Sequence, residues 1–220
     1  MNFNPKDYQP IDYSKWVFGD EARKGVNIKR LGILTPNELK LWDEVIPFQD
    51  QRNDPGQGEI VTLFAVKLLG YLSGKREVAV PAAMLHDIGW YGCDPEAWIK
   101  LVKAGGETEG EAKRRPHQNR GCLLAGRLME KVGYPDEKYH FEIADIIGDH
   151  DTRKLLTTQN GERVRAADLL WRVTLPCLKI YHDEKDTKAA YERIQKDSIY
   201  MQNPHNLEKI EQQIGRIELV

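Results

Sequence analysis

LLGYLSGKREVAVPAAMLHDIGW, residues 68–90, contains the longest unbroken apolar run of the chain, Val78 to Leu85, and that run ends on the pair His86-Asp87. The run is too short to cross a bilayer and long enough for a buried helix. Pro81 is predicted to open that helix, which ends near Gly89. Ala82 and Ala83 precede His86 by one helical turn, so the imidazole falls at the end of the inward face, with Asp87 beside it.

Working outward, every neighbouring segment also reads as helix. Upstream, Thr35-Pro36-Asn37-Glu38 has the cap, first-turn proline and reaching carboxylate of a capping box, and opens a helix carrying Leu39, Trp42 and Ile46. Asp50 to Gly58 reads as a loop. From Ile60 to about Leu72, Val61, Phe64, Ala65 and Leu68 recur at helical spacing, with Gly74 as a stop. Downstream, Asp94-Pro95 starts a helix that Gly105-Gly106 closes, and others fit Pro116 to Lys131, Asp136 to about Asp149, and Glu162 onward to a bend at Pro176. Thr187 to Tyr200 and Pro204 to Ile217 are predicted to finish the chain. The one strand-like piece is short, about Ile28 to Leu34. The expected class is all-α, with an N-terminal arm over residues 1–34 and one helical domain over 35–220 whose last helices are accessory.

Composition narrows the function classes. A chain of 220 residues with 40% hydrophobic and 30% charged residues suits one soluble globular domain. A formal charge of −2 argues against a strong nucleic-acid footprint, while leaving room for a small basic pocket. The opening MNFNPKDYQP has no basic region followed by an apolar one, so neither a secretory signal nor a membrane span is expected, and the cytoplasm is the expected address. Cys93, Cys122 and Cys177 are scattered and odd in number, which suggests buried thiols in a reducing compartment and not a disulfide framework or a thiolate zinc site.

The functional signal lies in the polar residues that the helical period turns inward. Asp168 shares a stripe with Val164, Trp171 and Leu175. His150 follows Ile146 and Ile147 at the end of their face, and His117 lines up with Gly121, Leu124 and Leu128, where Gly121 has no side chain to block a close approach. One inward histidine is usually a hydrogen-bonded core residue, and one inward aspartate usually pairs with a cation such as Arg172. Five such groups, on four helices, need a common counter-charge, because an uncompensated buried carboxylate costs several kcal/mol. A divalent metal supplies it, and imidazole nitrogen with carboxylate oxygen suits Zn, Mn, Fe, Co or Ni. The remaining histidines, His140, His182 and His205, are expected at the surface or in ordinary structural roles.

These segments resemble the HD-domain superfamily of metal-dependent phosphohydrolases. The apolar run into His86-Asp87 is similar to its namesake motif. HQNRG, His117 to Gly121, resembles the H-x-x-x-G that carries a further ligand in two-metal branches. IIGDHD then sets His150, and VRAADLL sets Asp168, at the positions of the remaining family ligands. The interval between these two is similar to that in branches that hydrolyse dinucleoside polyphosphates. The likeness covers about residues 57–175. One position departs from it: the family begins with a histidine four residues before a core valine, here Val61, and that slot holds Gln57. Gln57 could offer a neutral carbonyl oxygen, Glu59 could help, or the site could be degenerate.

The resemblance implies that His86, Asp87 and Asp168 hold one metal, with His117 and His150 holding a second across a bridging Asp87. One or two divalent transition-metal ions are therefore expected. Asp151 would orient the attacking water or take its proton, or else stand in solvent at a helix end. Arg120, Arg153 and Lys154 flank the ligands and are candidates for phosphate oxygens, against the alternative of a solvated charged surface. Trp90 and Tyr91 read better as core than as a platform for a base. The expected activity is hydrolysis of a phosphate ester or anhydride of a nucleotide or other small phosphorylated molecule. Alternatives are a di-iron oxygenase of the same superfamily and a non-catalytic ligand-binding module.

Overall fold

The computed structural model describes residues 28–49, 51, 54, 56–70, 73–92, 107–152 and 158–171, the side chains of 107–115 excepted. Among these the chain is all-α. The helices are α1 (Pro36–Val45), α2 (Gln57–Leu68), α3 (Arg76–Leu85), α4 (Glu107–Val132), α5 (His140–Asp149) and α6 (Gln159–Trp171). Single 3-10 turns occupy Ile46–Phe48, Ile88–Trp90 and Glu137–Tyr139. No helix of the described residues is long and apolar enough to cross a membrane. Most of the N-terminal arm, the helix expected after Asp94 and both C-terminal helices lie outside the described residues, as do Cys93, Cys177, His182 and His205.

Helix α3 is central. Val78 to Leu85 is buried on every side, as a helix apolar all round must be. It packs against α1, α2, α5 and α6, while α2 lies on α6, and α4 on α5. Val61, Phe64 and Leu68 of α2, Ile143 and Ile147 of α5, and Val164 and Leu170 of α6 complete the core around it.

Several boundaries differ from the sequence reading. Pro81 does not open α3 but sits inside it, leaving the Glu77 carbonyl without its helical donor. Similarly Pro116 lies within α4, which begins at Glu107 among residues that favour helix. The loop after Asp50 ends sooner than expected, since α2 begins at Gln57, and α6 begins at Gln159, with Thr158 accepting from the Gly161 amide at 3.1 Å. Asp136 accepts from the Lys138 amide at 3.2 Å and caps a 3-10 turn before α5. The predicted strand at Ile28–Leu34 is instead a series of turns, because Gly32 has φ of 61° and cannot extend the chain. Its apolar residues still serve the core, with Ile28 and Leu34 both buried.

The capping box forms as predicted, with the Thr35 amide donating to Glu38 Oε2 at 2.7 Å and the Glu38 amide to Thr35 Oγ1 at 3.3 Å. Glu38 also accepts from Arg76 at the head of α3, at 2.8 Å from Nε and 2.7 Å from Nη2. Asn160 joins three elements, accepting from the Lys75 amide at 2.7 Å and donating to Glu142 at 2.9 Å.

The tightest crossing is that of the turn after α3 with α4. A Cβ on Gly89 would stand 1.8 Å from the His117 carbonyl oxygen, and one on Gly121 would stand 3.6 Å from the Gly89 nitrogen. Backbone cannot yield there without parting the two elements, so Gly89→Ala is expected to cost about 3 kcal/mol, the upper end of ordinary overpacking. Urea denaturation measures it, and a loss under about 1 kcal/mol would mean that the crossing is looser than it looks.

Candidate metal centre

The last carbonyls of a helix have no amide partner within it. His86 directly follows α3, and its Nδ1 lies 2.7 Å from the Ala83 carbonyl oxygen, to which only a protonated nitrogen can bond. His150 follows α5 in the same way, with Nδ1 2.8 Å from the Ile147 oxygen. Each contact satisfies an orphan carbonyl, selects the tautomer and aims Nε2 away from the helix. The rings converge, with centroids 5.3 Å apart. His117 comes from α4 through the Gly89 crossing, and its ring stacks on Trp90 at 4.0 Å and 17°. All three imidazoles are buried.

Asp87 joins two groups of potential ligands. Its Oδ1 stands 3.4 Å from His150 Nε2 and 3.6 Å from His117 Nε2. Asp151 Oδ2 completes that set, 3.6 Å and 3.5 Å from the same nitrogens. On the other side Asp87 Oδ2 lies 3.2 Å from His86 Nε2, which is 3.6 Å from Asp168 Oδ1. Both sets, Asp87-His117-His150-Asp151 and His86-Asp87-Asp168, could hold a metal ion. Ligands about 2.1 Å from a tetrahedral ion stand about 3.4 Å from one another, which is the spacing of the first set.

The electrostatics point the same way. Burial disfavours a charged His86, but Asp87 and Asp168 outweigh it and hold the pKa well above the ordinary imidazole value. For His150, too, burial is outweighed, here by Asp151 and Asp87, and the pKa is raised. Burial would raise the Asp151 carboxyl, yet His150 and His117 hold it below its usual range. Carboxylates that draw protons onto buried imidazoles are asking for positive charge, and a metal ion supplies it at the same atoms.

The expected residues therefore come together: His86, Asp87, His117, His150 and Asp168 all enter the cluster. Asp151, expected as a base or a solvated residue, stands among the ligand atoms. Gln57 is present as well, buried, but its amide nitrogen is the atom facing the cluster, 3.0 Å from His86 Nε2, 3.1 Å from Asp87 Oδ2 and 3.3 Å from Asp168 Oδ1. Glu59 turns elsewhere and accepts from the Ile28 amide at 3.3 Å. Arg120 is exposed and donates to the Tyr91 carbonyl, while Arg153 and Lys154 lie outside the described residues. His140 takes no part, its ring nitrogen lying 2.9 Å from the Pro135 oxygen.

Two contributions escaped the sequence reading. Trp90 is buried as expected, but its Nε1 donates to Asp87 Oδ1 at 3.2 Å, so it orients the shared carboxylate while backing His117. Gln118, next to His117 and fully buried, accepts from Thr152 Oγ1 at 3.3 Å and ties α4 to the turn that carries Asp151. The signal for Trp90 was its place one turn after Asp87. For Gln118 there was none beyond adjacency.

No protein-family model matches the chain, and neither curated proteins nor solved structures yield a match.

Proposed function

We propose that the protein is a metal-dependent phosphohydrolase of the HD superfamily, acting in the cytoplasm on a nucleotide or other small phosphorylated molecule. The observation that carries this reading is Asp87, which presents one oxygen to each of two His/Asp sets assembled from several separate elements. Asp87, His117, His150 and Asp151 have the donor chemistry and spacing for a divalent transition metal. Such an ion, when bound, supplies Lewis acidity and a water whose pKa falls from 15.7 toward about 7.

The chain's own residues do the rest. Ala83 and Ile147 fix the tautomers of His86 and His150, and Trp90 holds Asp87 in place. Asp168, partly open to solvent, accepts from Gln57 at Oδ1 and keeps that amide over the set. Arg120, Arg153 and Lys154 are the candidates to receive phosphate oxygens.

The test is phosphate release from a panel of nucleotides and small phosphate esters by protein loaded with Mn, Fe, Co, Ni or Zn. Turnover that disappears in His117→Ala, together with bound metal, while the circular dichroism stays helical, supports the reading. A variant as active as wild type sinks it. Gln57 favours a second reading, a ligand-binding module without turnover, because an amide stands where the superfamily carries a histidine. Ligand binding with no release of phosphate under any metal would favour that module. Strict iron dependence with uptake of oxygen would favour the oxygenase.

A further inference from the structure

We infer that the terminal amide of Gln57 takes the place of a cation in the His86-Asp87-Asp168 set, so that the centre holds a single metal ion, in the Asp87-His117-His150-Asp151 set. The inference rests on reading the cluster as a metal centre, and not on the phosphoester chemistry.

Two of the three atoms facing Gln57 are carboxylate oxygens, of Asp87 and Asp168, which can only accept, and the third is the Nε2 of His86. An amide NH2 group has one hydrogen for each carboxylate, whereas its carbonyl oxygen would set a further lone pair against them. Those hydrogens point into the space between the acceptors, which is where an ion bound by them would sit. To admit an ion, the amide would have to turn over, give up its bonds to both aspartates and leave Nε2 an unpaired donor in a buried pocket.

The two sets therefore differ in kind. One is closed by hydrogen bonds from a neutral donor that is only 3% exposed. The other has its imidazole–carboxylate pairs at 3.4–3.6 Å, the spacing that a tetrahedral ion requires.

The experiment is to load the full chain with Mn(II), remove the excess, count ions per chain by elemental analysis and record the electron paramagnetic resonance spectrum. Wild type is expected to hold about one ion with the spectrum of isolated Mn(II). Gln57→His is expected to hold about two, spin-coupled at the separation typical of two-metal sites. Gln57→Glu, which puts an anionic ligand in the same slot, is expected to raise the count likewise and guards against misfolding of the histidine variant. About two ions in wild type would overturn the inference, as would an anomalous-scattering peak among His86, Asp87 and Asp168 in wild-type crystals. A count of one in both variants, each folded by circular dichroism, would overturn it too. No ion in wild type would remove this inference and the metal-dependent reading together. One ion without phosphoester turnover supports this inference while removing only the hydrolase.

Discussion

Asp87→Asn is expected to strip the protein of bound metal and to lower turnover by about 10³-fold or more. Asp87 is common to both sets of ligand atoms, so no rearrangement within one set can replace it. Lewis-acid catalysis contributes several kcal/mol to the transition state, and each 1.36 kcal/mol is tenfold in rate. Asparagine keeps the volume and an oxygen for the Trp90 contact, so the helical circular dichroism should not change. Without metal, the variant should also be less stable than wild type, since Asp87 is one of the carboxylates that hold the buried His86 and His150 charged, and removing one partner of a buried pair is destabilising. With metal at a hundredfold excess over its dissociation constant, wild type gains about 2.7 kcal/mol and the variant gains nothing. Melting curves with and without Mn(II) separate the two effects. An Asp87→Asn protein that keeps wild-type metal would refute the assignment of Asp87 as the shared ligand.

The second large effect is expected far from the cluster. Arg76→Ala should destabilise the fold by about 3–5 kcal/mol, because it leaves the Glu38 carboxylate charged and buried without its cation. Glu38→Ala should cost less. The Arg76 side chain is 32% exposed and keeps its bond to the Ile33 carbonyl at 2.6 Å, so the stranded cation can still find water and an acceptor. That variant keeps the amide bond to Thr35 Oγ1 and loses in addition the side-chain contacts to the Thr35 amide and the Tyr134 hydroxyl, worth about 1 kcal/mol each. Urea midpoints for the two variants give the order directly, and the reverse order would show that the pair is not buried as described.

Much of this was legible in the sequence for identifiable reasons. The capping box at Thr35 and Glu38 is a local pattern, and so are the inward faces that end on His86 and His150. Helical periodicity places such residues whatever the tertiary structure. What escaped was non-local or a matter of orientation. Nothing near Glu38 in the chain announces Arg76, which meets it from the start of another helix. The apolar residues from Ile28 to Leu34 looked like a strand because burial alone satisfies that pattern, and Gly32 decided otherwise. The two internal prolines read as boundaries in the sequence, whereas tertiary packing holds α3 and α4 helical through them. Gln57 was visible as a departure, but which of its terminal atoms faces the cluster follows only from the acceptors around it.

The suspension of His86 and His150 from orphan carbonyls at helix ends also ties two equilibria together. The last turn of a helix is the first part to fray, and fraying there would release the carbonyl that aims each Nε2. An ion held by His150 would thus act as a clasp on the terminal turn of α5. Exchange of the amides in that turn with solvent deuterium becomes a report on occupancy, without any substrate being turned over.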